Sequence, residues 1–411
     1  MFSSKKWAII SKGLVEEYNK LLSELDKAEI EQLTKGMTKE DYFKKQLMQK
    51  DTYQETIKKL VEDKSIKINE VSTEALKKAL GVVENELNEL DPKIKLTTDE
   101  EILTSVESIK KVNKEMLEGV VQQTNIKHAK LLGELGLVVN QPNILATSKV
   151  ATQARITAIT EAISRNINKT QGVLHQPPKI RYSNGREVSF RTYIEMAART
   201  TIQNIAVEKM NERTDNLGII FYLASEHPDC ADDHKDYQGK IYIKDSWRTI
   251  IKQKELIPKI EAFINQKRIM TIEKAIAQPI WLSTRPNCRH YFIPITVQQA
   301  LGNITELKSK LRTKKPGSYV NVKENYKDLQ QQRQYEVAIR KWKDLRDKNL
   351  ILYERSKNPT VLKQIERAKY YIAKYQEAQR NLLQSNPALT REYTREDNEG
   401  IVKDFGATKN K

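Results

Sequence analysis

Apolar residues recur every three or four positions through most of the first 135 residues, and that period commits a chain to amphipathic helices rather than strands. Leu14, Tyr18, Leu21, Leu22 and Leu25 make one such stripe. A second helix is expected from near Ser72, with Leu76, Leu80, Val83, Leu87 and Leu90 on its face. It should stop at Asp91-Pro92, because proline lacks the N–H a helix needs and disfavours helical geometry in the residue before it. Thr98-Asp99-Glu100-Glu101 reads as a capping box for a third helix carrying Ile102, Val106, Ile109 and Val112. Stripes of this kind are first of all core, so residues 1–146 are expected to form a packed bundle or an extended helical arm.

The pattern changes after the turn signal Asn140-Gln141-Pro142-Asn143. A helix over 147–168 is followed by alternation at Lys179-Ile180-Arg181-Tyr182, a hairpin-type turn at Ser183-Asn184-Gly185-Arg186, and a return to helix from about Phe190 to Arg213. Gly218 to Ala224 is short, continuous and β-branched or aromatic, as a buried strand would be, and Lys240–Ile243 and His290–Pro294 are further strand candidates. Ser246 to Gln278 reads as a mostly helical insertion. Residues 147–300 are therefore an α+β unit around a small sheet. Beyond Pro316-Gly317 a helical hairpin over 301–385 turns at Lys357-Asn358-Pro359, and 386–411 reads as a loosely ordered polar tail. The expected fold class is predominantly helical α+β.

With 411 residues, two or three domains are expected. Fourteen Gly, 12 Pro and two Cys exclude a collagen, a flexible linker protein and a disulfide scaffold. No apolar run approaches the roughly 18 residues of a membrane span, and Trp7-Ala8-Ile9-Ile10 is too short for the apolar region of a signal peptide. Cys230 and Cys288 suit a reducing compartment, so a cytoplasm is the expected place of synthesis. The net charge of +17 is uneven. Residues 1–146 hold 23 Lys and Arg against 25 Asp and Glu, 147–300 hold 23 against 15, and 301–411 hold 25 against 14. The basic excess at the C-terminal end favours phosphate or an acidic partner surface, and Lys341, Lys343, Arg346 and Lys348 are the candidate nucleic-acid contacts. The aromatic residues among them, at helical spacing, are expected to form the seam of the hairpin.

Three of the five histidines and both cysteines fall in two short loops, His227-Pro228-Asp229-Cys230-Ala231-Asp232-Asp233-His234 and Arg285-Pro286-Asn287-Cys288-Arg289-His290. Imidazole and thiolate are the ligands zinc takes, and two loops each giving two ligands can tie down a small sheet. Candidate ligands are His227, Cys230, His234, Cys288 and His290; the last two, two apart in an extended segment, point the same way. The competing readings are histidines bonded to loop backbone, cysteines packed as small apolar residues, or a Cys/His nucleophile that lacks an identifiable oxyanion donor. Asp229, Asp232, Asp233 and Asp236 could serve a metal-dependent nuclease or another hydrolase only if they converge on one ion. Neither a phosphate loop nor a dinucleotide fingerprint is present in the sequence.

Tyr182-x-x-Gly185-Arg186, Tyr193-x-x-Met196-x-x-Arg199-Thr200-Thr201, Ser225-x-His227, His234, Gln238-Gly239-Lys240-x-Tyr242 and Asn287-Cys288-Arg289-His290 occur in this order. Together they resemble the Mu F-like head morphogenesis group of phage minor capsid proteins, of the minor capsid protein 2 type, over residues 147–300. The resemblance implies a non-enzymatic structural protein of the virion, in the capsid interior or at the portal vertex, that supports head assembly, DNA packaging or delivery. It implies the portal protein and other head proteins as partners and places packaged double-stranded DNA within reach. It also implies roles for Tyr182, Gly185, Arg199, Thr200, Gln238, Gly239 and Arg289 as motif residues. His290 stands where many of these proteins carry a second cysteine, and Cys230 where they vary.

Overall fold

A computed structural model describes residues 9–396, apart from residue 40 and residues 91–98, 140–148, 170, 172–173, 176–178, 182–184, 186, 285–287, 289, 312–321 and 392. The chain opens with α1 (Lys12–Thr34), a short α2 (Tyr42–Met48), and two rods, α3 (Lys50–Leu90) and α4 (Asp99–Val139). Each rod has 41 residues and is therefore about 60 Å long at 1.5 Å per residue. The helix expected from near Ser72 begins instead at Lys50. Tyr53, Ile57, Val61 and Ile68 continue its buried face backwards, and Ser72 Oγ donates to the Ile68 carbonyl (2.7 Å) from within the helix rather than capping its start.

The two rods run antiparallel, and buried polar groups set their register. Asn113 Nδ2 donates to Asn69 Oδ1 and Ser72 Oγ (both 2.9 Å), while its Oδ1 accepts from the Tyr18 hydroxyl of α1 (3.0 Å). Further along, the Tyr53 ring stacks on His128 at 4.0 Å, and Glu29 of α1 accepts from the Tyr53 hydroxyl (2.7 Å) and bonds His128 Nδ1 (2.8 Å). Slippage by a turn would strand these groups away from water, at about 1–3 kcal/mol each.

Two large cores cross the order of the chain. The first packs Leu14, Leu21, Leu76 and Val106 against Ile194, Ile202 and Met210 of α6 (Phe190–Leu217) and against Phe221, Ile243 and Ile295 of the sheet. The second joins Ile30 and Leu33 of α1 and Leu131 and Leu135 of α4 to α5 (Lys149–Asn168), through Ile159 and Ile163, and to Leu345 and Leu352 near the C-terminal end. Each core thus crosses a boundary read from sequence, at 146 or at 300.

Gly185, at φ +80°, turns the chain between β1 (Lys179–Arg181) and β2 (Glu187–Ser189), which leads into α6. The main sheet has β3 (Phe221–Ala224) near its centre, with β4 (Ile241–Ile243) and β6 (Phe292–Ile295) antiparallel to it and β5 (Met270–Thr271) parallel to β4. All four β3 residues are buried, which is why this strand reads as a continuous apolar run. The segment expected to be a helical insertion contains α7 (Trp247–Ile250) and α8 (Ile257–Lys267), but it also supplies β5 before α9 (Ile272–Ile276). A two-residue strand has no alternation to read.

After α10 (Val297–Leu301) and α11 (Ile304–Leu311) comes the C-terminal hairpin, α12 (Val322–Ser356) and α13 (Pro359–Ser385). Its turn is where the sequence put it: Lys357 takes φ +51°, Asn358 Oδ1 accepts from Thr360 N–H (2.8 Å), and Pro359 opens the second helix. The expectation of a loose tail is corrected over 386–396. Ala388 and Leu389 are buried, Asn386 Nδ2 donates to Asn325 (3.0 Å) and Asp328 (2.8 Å), and Arg391 grips the buried Glu396 with two 2.7 Å bonds. Two small apolar residues and capped polar ones are enough to seat this segment on α12. No described helix is long and apolar enough to cross a membrane.

Candidate functional site

The His/Cys site forms where β3 leaves the sheet and β6 enters it. Ser225 extends the β3–β6 pairing: its N–H donates to the Tyr291 carbonyl (3.0 Å) and its Oγ accepts from Tyr291 N–H (3.2 Å). The chain then runs through His227 to a single 3-10 turn, Asp232–His234, and returns to β4 through Gly239. Gly239 has φ +64°, a left-handed conformation that L side chains rarely adopt, and a Cβ there would press on the Glu226 side chain, so glycine is favoured at this turn.

Three of the five candidate ligands meet. Cys288 Sγ lies 3.6 Å from His234 Nδ1 and 3.4 Å from His290 Nδ1. The ligand atoms of the three residues are all within 4.8 Å of one another, with both histidines buried and Cys288 half-buried. The far nitrogen of each ring is held. His234 Nε2–H donates to the Ile280 carbonyl (2.9 Å). His290 Nε2 faces Gln238 Oε1 at 3.1 Å, and that oxygen also accepts from His227 N–H (2.8 Å), which fixes which end of the amide is oxygen. Each ring therefore carries a proton on Nε2 and turns Nδ1 toward the sulfur. Ser283 N–H donates to the same sulfur at 3.3 Å.

His227 and Cys230 are not part of this ligand group. His227 stands edge-on to His290, ring centres 4.9 Å apart, with Nε2 3.1 Å from Ser225 Oγ; it is a packing and hydrogen-bonding neighbour. Cys230 is buried and forms no disulfide. Asp232, Asp233 and Asp236 are exposed and Asp229 is buried, and among the described residues no set of carboxylates gathers as a nuclease would require. Arg199 and Thr200 lie on α6, with Thr200 exposed; Tyr182 and Arg289, like Asn287, fall outside the described residues. The Ile280 carbonyl and the Ser283 N–H had no sequence signal, because both are backbone groups of a loop separate from the two His/Cys loops.

The hairpin candidates divide. Lys341 is exposed and Lys343 half-buried, while Arg346 is half-buried beside Asp347 at 2.7 Å. Lys348 is corrected: it is 2% exposed, and its ammonium bonds Asp344 (2.7 Å), Asp26 (3.1 Å) and the Leu174 carbonyl (2.9 Å). Its ammonium is spent inside the fold, leaving nothing to offer a phosphate. Between the two helices of the hairpin, Trp342, which also packs against the second core, stacks on Tyr371 at 4.3 Å, and Arg367 lies over both rings, 5.8 and 5.9 Å from their centres. Lys363, Lys369, Lys374 and Arg380 are exposed on α13.

A family model described as phage minor capsid protein 2 matches residues 8–384. The chain belongs to that family. Membership gives this protein a structural role in a phage head, among other head components of the virion. No curated protein and no solved structure matches the chain. The sequence resemblance covered 147–300, whereas the match takes in the N-terminal rods and nearly all of the hairpin, so these too belong to the family's layout.

Proposed function

We propose that this minor capsid protein is a non-catalytic head component that docks on the portal through its N-terminal helices and turns its C-terminal hairpin toward packaged DNA. It would be made in the host cytoplasm and carried into the virion during assembly. The observation that carries this reading is the distribution of charge on the folded chain. Residues 1–146 are nearly neutral, as a protein-docking surface can be, and the hairpin presents Lys341, Lys363, Arg367, Lys369, Lys374 and Arg380 around stacked aromatic rings. A row of cations binds duplex phosphate without regard to sequence, and its affinity falls steeply with salt as counterions are released.

The test is fluorescence anisotropy of the full-length protein with a random-sequence duplex over a salt series. Binding at low salt, weakening as salt rises, is expected, with a salt slope smaller by about two in a Lys341→Ala, Lys374→Ala double variant. No binding at low salt would remove DNA from the proposal and leave the docking role to be tested by co-purification with the portal.

A further inference from the structure

We propose that His234 Nδ1, His290 Nδ1 and Cys288 Sγ bind one zinc ion, with water in the fourth position, and that His227 and Cys230 do not take part.

The spacing supports it. Ligands held tetrahedrally at about 2.05 Å for nitrogen and 2.3 Å for sulfur lie about 3.5 Å apart. The two sulfur–nitrogen separations are 3.4 and 3.6 Å. A hydrogen-bonded thiol is the competing account, and the metal analysis below separates the two. The surroundings are also those of metal ligands. Each ring donates its outer N–H to an oxygen, Ile280 O or Gln238 Oε1, which fixes the tautomer and makes the inner nitrogen a better donor. Ser283 N–H points at Cys288 Sγ, which suits a thiolate sulfur. Two imidazoles and a thiolate favour zinc over magnesium or calcium, whose ligands are oxygen. The ion would join the 3-10 turn after β3 to the segment entering β6, two stretches 54 residues apart in the chain.

The experiment is metal analysis of the full-length protein, reduced, loaded with zinc and desalted, alongside Cys288→Ser and Cys230→Ser variants checked for folding by circular dichroism. About one zinc per chain is expected in the parent and in Cys230→Ser, with at least a tenfold loss in Cys288→Ser. Zinc retained in Cys288→Ser, zinc lost equally in both variants, or a reduced parent that takes up none would each overturn the proposal. Should Cys288→Ser fail to fold, the parent alone decides. Zinc should slow alkylation of Cys288 by iodoacetamide, mapped by peptide mass spectrometry, and cobalt should show a sulfur-to-metal charge-transfer band. Equal alkylation with and without zinc, or cobalt without that band, would also overturn it.

Discussion

Two buried polar clusters tie distant parts of this chain together, and they do so with opposite chemistry. At the first, Asp26 of α1 receives Lys127 of α4 on one oxygen (2.6 Å) and Lys348 of α12 on the other (3.1 Å), and Lys348 also holds Asp344. Two cations meet two anions, so this clasp is balanced within the chain. At the second, His234, His290 and Cys288 bring three electron-pair donors to one point. Burial alone does not distinguish the two. What differs is the kind of group gathered: opposite charges at the first, and at the second the like donors around which we propose a zinc ion.

The contrast is broken most strongly at Lys348. Lys348→Met leaves Asp26 with Lys127 alone and removes the partner of Asp344, so it should lower stability to denaturant by about 2 kcal/mol while leaving zinc uptake unchanged. A loss below about 0.5 kcal/mol would show that the clasp contributes nothing beyond an ordinary surface position. Acid should sharpen the same point. Burial pushes the Asp26 carboxyl up, but Lys127 and Lys348 outweigh it and hold the group well below the usual carboxylate range. Burial likewise pulls the Lys348 ammonium down, and Asp26 and Asp344 more than reverse that. A depressed carboxylate contributes stability that is present above about pH 4 and lost as pH falls through its folded value; a raised lysine contributes stability lost only above about pH 10. Stability of the parent should therefore drop below about pH 4, and by about 1 kcal/mol less in Lys348→Met, as measured by denaturant titration across pH. The remaining test belongs to the other cluster. Gln238→Leu removes the acceptor that orients His290, and zinc affinity by competition with a chelating dye should fall by about tenfold. An unchanged affinity would mean that the ring is oriented by packing alone.

Features that depend on local spacing were legible in the sequence. The hairpin turn at Lys357–Pro359, the buried strand at Phe221–Ala224 and the meeting of Cys288 with His290 all follow from neighbours a few residues apart. Features that depend on a distant partner were not. Lys348 looks like any lysine of a basic helix until Asp26 lies beside it, and nothing near Ser72 reveals that Asn113 crosses to its hydroxyl. Cys230 shares a loop with His234, yet the 3-10 turn between them sends it elsewhere. Proximity in sequence suggested a ligand there, and Cys230 lies outside the group of three that meets.

The crossing of the second core over chain order bears on how the molecule comes into being. Ile30 and Leu33 are made early, but the Leu345 and Leu352 that cover them, and the Arg355 that pairs with Glu31 at 3.0 Å, are more than 300 residues later. At roughly 5–20 residues per second, α1 waits tens of seconds on the ribosome before its covering helix exists. During that interval α4 and α5 can supply only part of the cover over Ile30 and Leu33, so a product truncated before α12 would expose apolar surface rather than be merely incomplete. The helix α12 thus acts as the closing step for this core, which lacks its cover until residues 345–352 have been made.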